Sequence, residues 1–148
     1  MKDLLQITKN AQKIQATKIL VNIYLESDVQ QFILDLNRYA QLFNEGVNIK
    51  DEPIGYYSQT TELLSGGRKK AGTPYTLKDT GDFYATFGIS LNTDGDVWIV
   101  ANTIKDDNDL LNIDKDILGL TVNSTNELIE KITPLFIQGT KSQLLQVN

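Results

Sequence analysis

From Leu4 the apolar residues Ile7, Ala11, Ile14, Val21 and Leu25 recur at steps of three, four or seven. Such a stripe predicts an amphipathic helix. It breaks near Ser27-Asp28, a pair suited to capping a second helix that carries Val29, Phe32, Ile33, Leu36, Ala40 and Phe43 on one side and ends at Gly46. The first 45 residues therefore read as two helices or one long bent one. Within them, KILVNIYL (18–25) is dense in β-branched and aromatic residues, which leaves a strand as the rival assignment.

Periodicity is lost over 46–78, where Gly55, Gly66, Gly67, Gly72, Pro53 and Pro74 surround a short TTELL. A stretch of this kind predicts a long loop region, functional or mobile. Residues 76–87, TLKDTGDFYATF, admit two readings. As a strand, Phe83, Ala85 and Phe87 share a face; as a helix start, Asp79 or Thr80 caps and Phe83 and Phe87 are i,i+4 neighbours. ATFGISLN and DVWIVANTI then flank Thr93-Asp94-Gly95-Asp96, a hairpin signal. A two-residue Asp94-Gly95 loop would set Leu91 against Trp98 and Ile89 against Val100, with Trp98 in the core.

Beyond the hairpin, KDDNDLLNIDKD reads as an acidic connection and ILGLTV as a short edge strand. Ser124 or Thr125, with Glu127 in capping-box spacing, predicts a last helix with Leu128, Ile129, Ile132, Leu135 and Phe136 inward and a kink or break at Pro134. The class is α+β: N-terminal helices, a central antiparallel hairpin sheet, a C-terminal helix and a long loop region in the middle. It is expected to be a single domain over 1–148, divided at 45, 78 and 104.

Composition narrows the chemistry. The chain has 148 residues, no His and no Cys, which removes His-based triads, thiolate nucleophiles and the usual zinc, haem and iron–sulfur ligand sets. No catalytic residue, cofactor or metal is expected. The segment MKDLLQITKNAQKIQ lacks the apolar core of a signal peptide, and no apolar run has membrane-spanning length, so a soluble protein made in the cytoplasm is expected. A net charge of −5 argues against general nucleic-acid affinity.

One local patch runs the other way. SGGRKKAGTP (65–74) groups Arg68, Lys69 and Lys70, with Tyr56 and Tyr57 upstream, as a candidate contact for DNA or an acidic partner, or else a solvated basic loop. Its Gly67 and Gly72 have phosphate-loop spacing, but Thr73-Pro74 stands where Lys-Ser/Thr belongs. Asn92, Asp94 and Asp96, and likewise Asp106, Asn108 and Asp114, lack the Gly and closing Glu of a calcium loop. Glu26 with Asp28, or Asp51 with Glu52, would be the carboxylate pair of a hydrolase, although capping and surface charge explain them more simply.

The run LKDTGDFYATF, with Leu77, Asp79, Thr80-Gly81, Phe83, Thr86 and Phe87, resembles a signature of bacteriophage head–tail connector and tail-completion proteins. LNRYAQLFNEGVNIKDEPIGYYSQTT is similar to a segment of phage structural proteins, and the hairpin and Gly119 to Thr121 follow in the same order. The resemblance spans about Leu36 to Leu91. It implies that Thr80 caps one helical turn, Gly81 allows a close approach, Phe83 plugs the core beneath the sheet, and a strand begins near Phe87.

By this resemblance the chain is expected to be a non-enzymatic virion protein, assembled in the bacterial cytoplasm into a ring at the head–tail junction or tail top. Its partners would be copies of itself and portal, adaptor or tail proteins, with possible contact to packaged DNA and none to membrane. The stripe from Leu4 to Leu25, with Leu4, Ile7, Ala11 and Ile14, is one candidate subunit interface, and the flexible loop around Gly66 to Gly72, ordering on assembly, is the other. A small nucleic-acid-binding accessory protein using the basic loop is the alternative.

Overall fold

The computed structural model describes residues 4–146. Helices α1 (Leu4–Ala11), α2 (Ala16–Leu25) and α3 (Ser27–Asp35) open the chain, and α3 continues as a π-helical segment, Leu36–Glu45. The stripe is thus cut between Ala11 and Ala16, and 18–25 is helical, not a strand. Residue Glu26, extended at ψ 129°, precedes α3 without a side-chain cap, so Ser27 and Asp28 lie inside the helix that they were expected to cap. Gly46 ends the π segment at φ +66°. A Cβ there would sit 2.5 Å from Pro74 Cβ, so Gly46 supplies both the left-handed turn and the close approach.

The middle of the chain is ordered by its own hydrogen bonds. Residues 55–75 form an arm, in which Tyr57 N–H donates to Thr73 at 3.0 Å and Tyr75 N–H to Gly55 at 2.8 Å, with α4 (Gln59–Leu64) at the far end. The long loop read from the sequence is therefore built. Helix α5 (Asp82–Ala85) is the short turn ahead of β1, which excludes the strand reading from Phe83.

Strands β1 (Gly88–Leu91) and β2 (Val97–Val100) pair antiparallel with Leu91 opposite Val97 and Ser90 opposite Trp98. The register is one residue off the expectation because Asn92, not Asp94-Gly95 alone, closes the loop. Its Oδ1 accepts from Asp94 N at 3.0 Å and Asp96 N at 2.9 Å, while Gly95 takes φ +90°. The slip changes which side chains are inside. Ile99 is buried and Ile89 and Val97 pack against the core, whereas Trp98, expected inside, is 49 % exposed.

A small hairpin, β3 (Ile104–Lys105) and β4 (Asn108–Asp109), leads through a 3-10 turn to residues 117–121. ILGLTV is not a strand. Its backbone is held by side chains of the π segment: Asn37 Nδ2 donates to Ile117 O at 3.1 Å and Gln41 Nε2 to Gly119 O at 3.1 Å. Helix α6 (Val122–Leu145) starts earlier than expected, capped by Thr121, whose Oγ1 accepts from Ser124 N at 3.2 Å. It runs unbroken through Pro134, which sits on the exposed side, and Ile129, expected inward, also faces out.

One core draws on these elements, with Ile19 and Ile23 of α2, Val29 and Ile33 of α3, Phe83 and Phe87 around α5, and Leu128 and Ile132 of α6. The α2–α6 crossing is close at Gly139, where a Cβ would lie 2.7 Å from Ile19. The α+β class with helices at both ends stands. Among the described residues no helix is long and apolar enough to cross a membrane.

Candidate functional site

The arm is made by short-range polar chemistry. Ser58 caps α4 by accepting from Thr61 N at 3.1 Å. Glu62 accepts from Ala71 N at 2.9 Å, and Ser65 Oγ accepts from Lys69 N at 3.0 Å. These bonds fold SGGRKKAGT back on α4 and leave no strand leading into it, so it has no phosphate-loop architecture. Leu63 and Leu64, adjacent on a helix too short to bury both, are 81 % and 82 % exposed.

The three cations of the basic run separate. Lys69 turns toward the base of the arm, with Nζ 3.3 Å from Asp79 and 5.8 Å from the centre of the Tyr57 ring. Arg68 is exposed, its Nε donating to Ser65 O at 3.0 Å, and Lys70 is exposed too. The tyrosine pair divides likewise. Tyr57 is half-buried edge-on to Tyr75, at 4.8 Å between ring centres, and its hydroxyl accepts from Thr76 N at 3.2 Å. Tyr56 is exposed.

Asp79 ties the arm to the body. It also binds Lys105 of β3 at 3.0 Å, and hydrogen bonds from Lys105 and then Lys69 hold its carboxyl below the ordinary carboxylate value. This latch lies between a cleft of about 350 Å³, lined by Phe43, Tyr57, Arg68 and Lys78, and one of about 330 Å³ over Tyr75, Leu77, Leu110 and Ile113.

The Thr-Gly corner is architectural. Gly81, at φ +97°, is itself the residue before α5, while Thr80 Oγ1 donates to Asp82 at 2.6 Å, so Thr80 is not the cap. A Cβ on Gly81 would meet nothing within 4 Å, so its role is conformational, not the close approach expected. Phe83 packs 5.0 Å from Phe87, both buried. Buried Tyr84 donates to Thr76 O, and burial raises its phenol above the ordinary value.

Of the candidate stripe, Leu4 is 79 % exposed, Ala11 is exposed and Ile7 is half-buried, while Ile14, beyond the end of α1, packs on the chain's own core. Asn10 anchors α1 to the end of α6, with Nδ2 2.9 Å from Leu144 O. Of the carboxylates considered as pairs, Asp28 lies 3.6 Å from Lys131, and Glu26, Asp51 and Glu52 are exposed on the surface. Among the described residues no group of three or more carboxylates is placed to hold a metal ion.

Sequence reasoning missed the two surfaces that stand out, the Leu63-Leu64 tip and the Trp98 face. The signal for the first was present in the TTELL doublet. No protein-family model matches the chain, and no curated protein or solved structure proves similar to it.

Proposed function

We propose that the chain is a virion structural subunit of a bacteriophage, assembling into a closed ring at the head–tail junction or tail top. The observation that carries this is apolar surface exposed on unlike elements of an acidic chain, the Leu63-Leu64 tip of the arm and the Trp98 face of the hairpin. A cyclic head-to-tail assembly needs two different patches per subunit, whereas a two-fold dimer would use one patch twice. The resemblance across Leu36 to Leu91 supplies the placement in the virion. The role asks for no chemistry, only for a rigid body with an arm.

Light scattering after size exclusion, at several concentrations, tests the reading. The full chain is expected to give a mass that is a fixed multiple of 16.6 kDa. A shorter form should start after Lys13, since α2 contributes Ile19 and Ile23 to the core and must stay. Retained assembly in that form would remove the α1 stripe from the interface. Monomers of the full chain throughout would sink the ring.

A second reading, nucleic-acid binding, draws on Arg68, Lys70 and Tyr56 all being exposed on the arm. It requires the monomer to bind DNA with an affinity falling steeply as salt rises.

A further inference from the structure

The outer face of the β1–β2 hairpin is bare. Trp98 and Val100 alternate outward from β2, at 49 % and 45 % exposure, and opposite them stand only Ser90 and Gly88. Being two residues apart on one strand, the two side chains form a continuous apolar strip roughly 7 Å long. Adjacent exposed apolar pairs occur also at Leu4-Leu5 of α1 and Leu63-Leu64 of α4, but the hairpin strip is the one that lies on a sheet face and carries a tryptophan. A tryptophan open on a bare sheet face is the residue type that interfaces most often use as an anchor.

Beside this strip the hairpin loop presents Asp94 and Asp96, both exposed and, among the described residues, in no ion pair; Asp96 accepts only from the neutral Asn92 amide, at 2.9 Å. The arm offers the complement. Leu63 and Leu64 form an adjacent apolar pair, and Arg68 and Lys70, on the turn that folds back along α4, are exposed and likewise unpaired in ions among the described residues. Two apolar side chains with two cations therefore match two apolar side chains with two carboxylates. A cation over the open indole ring would add to the match.

We infer that the arm of one copy of this chain docks on the outer hairpin face of the next, with Leu63 and Leu64 covering Trp98 and Val100 and with Arg68 and Lys70 meeting Asp94 and Asp96. The contact deepens the ring reading and rests on it. It is heterologous, since arm meets hairpin and never arm meets arm, so its repetition generates a ring when the rotation closes.

Trp98 is the chain's single tryptophan and reports on its own environment. Emission and scattered mass are measured on the same dilution series of the full chain. The expected result is a blue shift of emission that follows the rise in mass. In L63S/L64S both should move to concentrations about a hundredfold higher, the effect of taking two leucine side chains out of a buried contact. Charge reversal in R68E/K70E should weaken assembly, and combining it with D94K/D96K should restore it. Because all six residues are exposed, these variants leave the core untouched.

Mass that rises with no change in emission, or that is indifferent to L63S/L64S, overturns the arm-to-hairpin contact and leaves the ring standing. A full chain that stays monomeric across the series overturns the ring itself and the contact with it. Cross-linking separates the geometries further, since the chain lacks cysteine. A bismaleimide should join L64C to V100C in a mixture and should not join either variant to itself. Self-joining of L64C would overturn the head-to-tail contact.

Discussion

Gln41 accepts a hydrogen bond from the backbone N–H of Thr121 at 2.9 Å, across 80 residues of sequence. The same amide donates to Gly119 O at 3.1 Å, and the side chain is 1 % exposed. One residue of the π segment thus satisfies both a donor and an acceptor of a half-buried stretch that has no strand partner. Q41A is expected to leave the buried N–H of Thr121 and the part-buried carbonyl of Gly119 without this partner, beside a small cavity, and to cost about 3 kcal/mol. Urea unfolding should show a lower midpoint with the slope retained, and an unmoved midpoint would mean that the clasp is dispensable.

Gly46 joins the π segment to the base of the arm. G46A would place a methyl 2.7 Å from Tyr75 O at a backbone with φ +66°, so both strain and overlap oppose it. The expected loss is about 3 kcal/mol, against about 1 kcal/mol for G67A, whose φ of +80° is also left-handed but whose Cβ would meet nothing within 4 Å. Equal effects of the two substitutions would show that the approach to Pro74 and Tyr75 is not tight in solution.

These two residues mark how far the sequence could be read. The helical periods of α3 and α6, the terminating Gly46 and the hairpin itself follow from local pattern, because local backbone preferences and one buried face decide them. The register of the hairpin does not, because Asn92 spends its side chain on the N–H groups of Asp94 and Asp96 and shifts the pairing by one. ILGLTV has a strand's composition, yet its partners are Asn37 and Gln41, far away in sequence. The arm looked like a loop because Glu62 and Ser65 side chains, not a ladder, organise its end. Of the candidate contacts, the basic run was legible as a patch, but that Lys69 and Tyr57 would turn inward while Arg68, Lys70 and Tyr56 stay exposed was not, and the exposure of Trp98 depended on the register.

Tyr84 donates to Thr76 O from a buried position, and burial raises its phenol. A group whose folded value is raised contributes stability fully below its unfolded value, near 10, and loses it as pH climbs through the folded one. Stability is therefore expected to fall above about pH 10, less steeply in Y84F, which should itself cost about 1 kcal/mol at neutral pH. Identical alkaline profiles for the two proteins would exclude Tyr84 as the group responsible.

Asp79 works in the opposite direction. Lys105 and Lys69 lower its carboxyl, so its contribution is complete above the unfolded value near 3.9 and is lost as pH falls through the lower folded value. The carboxylate is partly exposed, and such pairs contribute no more than about 1 kcal/mol. The effect should be local: in D79N, and in the unaltered chain below about pH 4, the amides of Tyr57, Gly72 and Tyr75 exchange faster while the global midpoint barely moves. Unchanged exchange at those amides would mean that the arm is held without the latch.

The most direct measurement for the ring is imaging of negatively stained particles of the full chain at the concentrations where its mass exceeds one subunit. Closed annuli with one constant number of subunits are the expected result, because a rigid head-to-tail contact fixes the rotation between neighbours. Fields showing only single subunits, two-fold dimers or open filaments of varying length would show that the chain does not build a ring.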